Sequence, residues 1–161
     1  MSGPLAILGG SLTVVSALLF GKSYGAFIKK RESEGEELLR FLLHIKGEVS
    51  RFLSTPESIC ASFRSDILFR TGFLPLSEGG SLADALESAE LSISMAMHEV
   101  LSEFFSGFGK NYLEAEISRC KEFCERLDKM LSKEKEEYQK NVRVVKTVSA
   151  AAALGIVILL I

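Results

Sequence analysis

Residues 113–131 read LEAEISRCKEFCERLDKML, and the spacing of their apolar positions decides the fold. Leu113, Ile117, Cys120, Cys124, Leu127 and Leu131 recur at steps of four and three, which is one face of a helix with heptad character. Tyr138, Val142 and Val145 resume close to the same register, with only Glu134 interrupting it. No Gly or Pro occurs between Lys110 and Leu154, so nothing forces a break. The pattern predicts one helix of roughly 50 residues, ~75 Å at the usual rise. Near the other end, Leu38, Leu42, Ile45, Val49 and Phe52 repeat the same steps. They predict a second long helix that ends before Pro56, because the residue preceding proline is pushed out of the α region.

The charges show where these helices lead. All 40 charged side chains lie between Lys22 and Lys146. Residues 1–21 and 147–161 carry none. Charge is costly in hydrocarbon, so both uncharged apolar ends predict transmembrane helices. Residues 1–21 give ~31 Å of helix. Residues 147–161 give only ~22 Å, which Arg143 and Lys146 can extend by snorkelling to the headgroups. Lys22, Lys29, Lys30 and Arg31 follow the first run before any acid appears, and Lys140, Arg143 and Lys146 precede the second. Basic residues mark cytoplasmic flanks, so residues 22–146 are expected in the cytoplasm and both termini outside. Ala17, Gly21 and Gly25 form a row of small residues, as do Ala151 and Gly155. Such rows let membrane helices pack closely, within one chain or between copies.

Between the flanks, 12 basic residues face 21 acidic ones, a balance of −9. That balance argues against nucleic acid, whose binders concentrate positive charge. The basic collars suit anionic lipid headgroups instead. Thr55 is expected to cap a helix with Pro56 at its first position, carrying Ile59, Phe63 and Ile67 on one side and stopping near Gly72. Phe73 to Gly80, with Pro75 and the Gly79-Gly80 pair, is expected to be a loop. Ser81-Leu-Ala-Asp84 resembles a capping box, with Leu82 and Leu86 facing inward. Leu91 to Met95 alternates like a strand. No partner strand exists for it, so it is read as a helix or a helix–helix junction. Met97, Val100, Leu101, Phe104 and Phe108 predict a further helix ended by Gly107 and Gly109. The expected architecture is all-α: an antiparallel bundle with long coiled-coil-like helices, anchored by N- and C-terminal transmembrane helices.

Catalytic motifs are missing from this sequence. It has no glycine-rich phosphate loop, no His-Glu-x-x-His, no Gly-x-Ser-x-Gly and no Cys-x-x-Cys. Cys60, Cys120 and Cys124 are odd in number, and a zinc site would need about four ligands. Cys120 and Cys124 fall on the apolar stripe and read as small buried hydrophobes. Glu32, Glu34, Glu36 and Glu37 read as a solvated helix face. Neither an enzyme nor a cofactor is expected.

The layout resembles the stage III sporulation protein AB family of endospore-forming bacteria. The likeness rests on Phe108-Gly109, Cys124-Glu-Arg-Leu127, the Lys140-Asn141 step and the closing GIVILLI of residues 155–161. Gly21, Gly25, Leu38, Leu39, Leu42, Glu48 and Thr55-Pro56 extend it toward the N-terminus. Lys110-Asn111-Tyr112 and Glu57-Ser58 depart from the family pattern. The resemblance implies a membrane component of the complex linking mother cell and forespore. Its soluble helices would look like the cytoplasmic domains of secretion and pilus platform proteins. By that analogy the bundle would meet a cytoplasmic ATPase, the stage III sporulation AA protein, alongside other membrane proteins of the same complex. The loop 73–80 is the expected docking point, with Phe73, Leu74 and Leu76 as an exposed apolar anchor and Glu78 contributing charge, unless these three apolar residues fold back onto the bundle. The alternative is a passive membrane tether or coiled-coil scaffold with no motor partner.

Overall fold

The computed structural model describes the backbone of residues 3–52, 55–77 and 80–160; side-chain surroundings are described for most of 21–145 and for few residues nearer either end. The described residues are all-helical, with no strand: α1 (Gly3–Phe52), α2 (Pro56–Ser62), α3 (Asp66–Arg70), α4 (Phe73–Ser77), α5 (Leu82–Ser88), α6 (Met95–Gly107) and α7 (Leu113–Leu160). The two long helices thus follow the two heptad stripes. The chain divides into two compact units, Lys30–Lys133 and Met1–Lys29 with Glu134–Ile161.

In the Lys30–Lys133 unit, α1 and α7 run antiparallel. Gly35 lies beside Leu131, and further along α1 Lys46 is near enough to Cys124 to act on its thiol. At Gly35 the helices approach so closely that an added Cβ would sit 2.6 Å from Leu131 Cδ2 and 3.3 Å from Met97 Sδ. This glycine weakens the helix by its propensity, but a Cβ in its place would oblige the Leu131 side chain to shift. Leu38, Leu42 and Ile45 of α1 are fully buried, as are Leu101 of α6 and Cys120 and Leu127 of α7. The stripe fades at its ends, and Leu113 is exposed.

Phe41 is the hub of the core. Its ring packs edge-on against Phe63 at 5.1 Å and Phe73 at 5.5 Å, and lies 6.3 Å from Phe105. Phe104 continues the aromatic run to Phe123 at 5.3 Å. Such tilted and edge-on pairs are the favoured aromatic geometries.

Arg119 of α7 closes the end of α6. Its guanidinium donates to the carbonyls of Glu103 at 2.7 Å and Phe104 at 3.1 Å, and the Phe104 carbonyl is one of the four left over at the helix C-terminus. It also lies over the rings of Phe104 and Phe123. A Cβ on Gly107 would collide with this guanidinium. Gly109 then takes a left-handed φ of 79°.

Several local expectations change. The helix begun by Thr55 stops at Ser62, and Phe63 is extended with φ −85° and ψ 136°. A new helix, α3, starts where Ser65 Oγ accepts the Leu68 N–H at 3.2 Å. Arg40 donates to the Arg64 carbonyl at 2.7 Å and holds the corner. The break keeps Phe63 against Phe41 but shifts the buried face, so Leu68 rather than Ile67 is fully buried. The segment 73–80 is not all loop. Residues 73–77 form α4, because Pro75 falls in the first turn, where a missing N–H costs no helical bond. Gly72, at φ 82°, makes the turn into it. Residues 89–94 form the non-helical junction between α5 and α6, and Ser81 and Ser94 cap those two helices.

Glu34 is not on a solvated face. It is 1% exposed and accepts the Ser92 N–H, holding the α5–α6 junction, with Lys30 Nζ 3.6 Å away. The signal was its place four residues before Leu38, on the stripe itself. Glu116, four residues before Cys120, is likewise buried and accepts from Asn111 Nδ2 at 3.0 Å.

In the second unit, Tyr24 stacks on Tyr138 with ring centroids 6.2 Å apart and planes 20° apart. Leu19, Phe27, Val144 and Val148 are exposed there. Among the described residues, nothing lies within 4 Å of a Cβ added at Gly21, Gly25 or Gly155. The side chain of Ala17 lies outside the described residues, and Ala151 is exposed. Among the described residues no helix is long and apolar enough to cross a membrane. The anchors expected over 1–21 and 147–161 fall on segments where most side chains lie outside the described residues.

Candidate partner interface

The four residues expected to dock a partner separate when α4 folds. Phe73 is fully buried, its ring 5.7 Å from Phe105 as well as against Phe41. Leu74 is 5% exposed. The expected exposure of both is therefore corrected: in a helix, Phe73, Leu74 and Ser77 share the inner face. Ser77 Oγ donates to the Leu74 carbonyl at 2.8 Å, so its burial leaves no hydroxyl unpaired. Leu76 remains outward at 43% exposure, beside exposed Pro75. Glu78 lies outside the described residues.

Sequence reading missed Phe69, which is 66% exposed on α3. The signal was the run Ile67-Leu68-Phe69, since successive helical residues turn by about 100° and cannot all face one core. Leu68 takes the core position and leaves Phe69 in solvent. The outward apolar side chains on α3 and α4 are thus Phe69 and Leu76, in place of Phe73 and Leu74. Nearby, Glu37, Arg40, Arg64, Ser65, Asp66 and Ile67 line an open cleft of about 360 Å³. Within it, Arg40 lies 2.9 Å from Glu37.

Cys120 and Cys124 sit in the core, as their stripe positions imply. Burial, with Glu116 adding to it, pushes the Cys120 thiol from its ordinary 9.0 up to about 12, and burial raises that of Cys124 as well. Both stay protonated at neutral pH, which removes the thiolate needed for nucleophilic attack. Among the described residues no three His, Cys, Asp or Glu side chains gather to hold a metal.

The raised thiol predicts an alkaline weakness. In the unfolded chain Cys120 ionises near pH 9, while the folded state holds the proton to about 12. Its contribution is therefore intact below pH 9 and falls as pH climbs from 9 toward 12, at up to ~1.4 kcal/mol per unit. Melting of the full chain in detergent, beside Cys120→Ala, checks this between pH 8 and 10.5. The advantage of the parent should shrink with pH, and a constant gap would mean that the thiol is not held protonated.

No curated protein and no solved structure matches this chain. A family model described as stage III sporulation protein AB matches residues 78–161, from the segment preceding α5 through the whole of α7. The N-terminal residues that share the resemblance lie outside that match. The match takes in just over half of the chain, including the α6–α7 pair and the cysteine-bearing heptad face, and the chain belongs to the stage III sporulation protein AB family.

Proposed function

We propose that the chain is a non-enzymatic platform component of the membrane complex joining mother cell and forespore. Both ends anchor it in the mother-cell membrane, and the Lys30–Lys133 bundle faces the cytoplasm. The observation that carries this reading is the confinement of all charge to Lys22–Lys146, with basic flanks against both apolar runs. Exposed Leu19, Val144 and Val148 support it, since apolar side chains left uncovered on a helix pair are suited to lipid.

Topology is the first test. The native cysteines are buried and make poor reporters. Tyr112, 93% exposed, is a better site. Ser2→Cys and Ile161→Cys should react with an impermeant maleimide in intact cells, and Tyr112→Cys should react only after permeabilisation. Labelling of Tyr112→Cys in intact cells would reverse the orientation.

The bundle's partner in this reading is the stage III sporulation AA-type ATPase, met through a surface carrying Phe69 and Leu76 as apolar contacts. The −9 balance of the middle supports a basic counterpart, because complementary charge steers encounter. Capture of the purified ATPase by the full chain in detergent should weaken with added salt. It should also weaken with Phe69→Ala and Leu76→Ala, neither of which removes core packing. Absence of binding at every ionic strength would leave a passive tether as the better reading.

A further inference from the structure

The stacked Tyr24–Tyr138 pair joins the two helices of its unit at one level. Tyr24 is 36% exposed and Tyr138 half-buried, so the stack is open at its side. Counted from the stack toward the apolar run of its own helix, Lys22 lies two residues on and Lys140 likewise two, ~3 Å of rise each. Arg143 lies five residues on, ~7.5 Å. Lys22, Lys140 and Arg143 are all exposed. The exposed apolar residues Leu19, Val144 and Val148 lie on the same side of the stack. On the opposite side come Glu137, Glu136 and Glu134, and no acid occurs on α7 after Glu137. Tyrosine rings with an apolar body and polar tip settle where hydrocarbon meets headgroups, and lysine and arginine at that depth attract anionic lipid.

We propose that Tyr24 and Tyr138 mark the headgroup level and that Lys22, Lys140 and Arg143 around them form a site for anionic phospholipid. This rests on the membrane anchoring proposed above and adds to it a depth and a lipid charge.

The chain has no tryptophan, so a single introduced one reports its own surroundings. Tyr24→Trp, Tyr138→Trp and Val148→Trp variants of the full chain, reconstituted in vesicles with brominated lipids, measure depth. Tryptophan at 24 and 138 should be quenched best by lipid brominated near the carbonyl end of the acyl chain. At 148 quenching should be best with bromine deep in the chain. Quenching at 148 with none at 24 and 138 would overturn this inference while sparing the anchors. No quenching at 148 would sink the anchors themselves. In mixed vesicles, brominated phosphatidylglycerol should quench Tyr24→Trp about two- to fivefold more than equally dilute brominated phosphatidylcholine, as attraction by a few basic groups requires. Combining Lys22→Gln, Lys140→Gln and Arg143→Gln should abolish that preference without changing the depth profile. Equal quenching by the two lipids in the unaltered collar would refute the anionic site.

Discussion

Phe41→Ala should destabilise the Lys30–Lys133 unit by ~3–5 kcal/mol, the range for deleting a large buried aromatic. The ring is fully buried and touches Phe63, Phe73 and Phe105, which come from three separate parts of the chain. Its removal leaves a cavity bordered by other rings, whose rigid shapes collapse poorly into the space. Phe41→Leu keeps much of the volume and should cost markedly less. Denaturant unfolding of the full chain in mild detergent, followed by circular dichroism, measures both. A shift below about 1 kcal/mol for the alanine variant would mean that Phe41 is not the hub of the core.

Leu127→Ala should cost ~2–5 kcal/mol through lost burial and the cavity left behind. Leu127 is fully buried midway along the paired stretch of α7, with Cys124 one turn before it and half-buried Leu131 one turn after. Lys133, two residues beyond Leu131, is exposed, and Lys133→Ala should change stability by less than about 0.5 kcal/mol. The same denaturation experiment compares them. Equal shifts would show that the heptad face of α7 is not its buried face.

The long helices were legible because their signals are repeated. Each turn of α1 from Leu38 and of α7 from Ile117 restates the register, and nothing in the intervening sequence contradicts it. The caps at Thr55 and Ser81 were legible because a single side chain satisfies a local backbone donor. The candidate interface was not. Whether Phe73 points inward depends on α4 folding around Pro75, and on a pocket framed by Phe41 and Phe105, distant in sequence. Phe41, Phe105 and Phe123 escaped the heptad count because each lies one position off the four-three steps, where a wide apolar face still reaches the core. Glu34 was misread in kind, and Glu116 was not singled out. Composition says carboxylates are solvated, whereas their stripe positions put them inside, where a backbone N–H and an asparagine amide supply partners.

The arrangement at Gly107 and Arg119 ties two positions together as an inherited unit. A side chain at 107 would push the guanidinium, the far end of a flexible side chain, aside and loosen its hold on the Phe104 carbonyl at the end of α6. A shorter residue at 119 would make room for that side chain but provide no donor. Relatives should therefore change both positions or neither, and those that lose the arginine should end this helix with some other donor. Where arginine persists at 119, anything but glycine at 107 should be rare, whatever its propensity for helix.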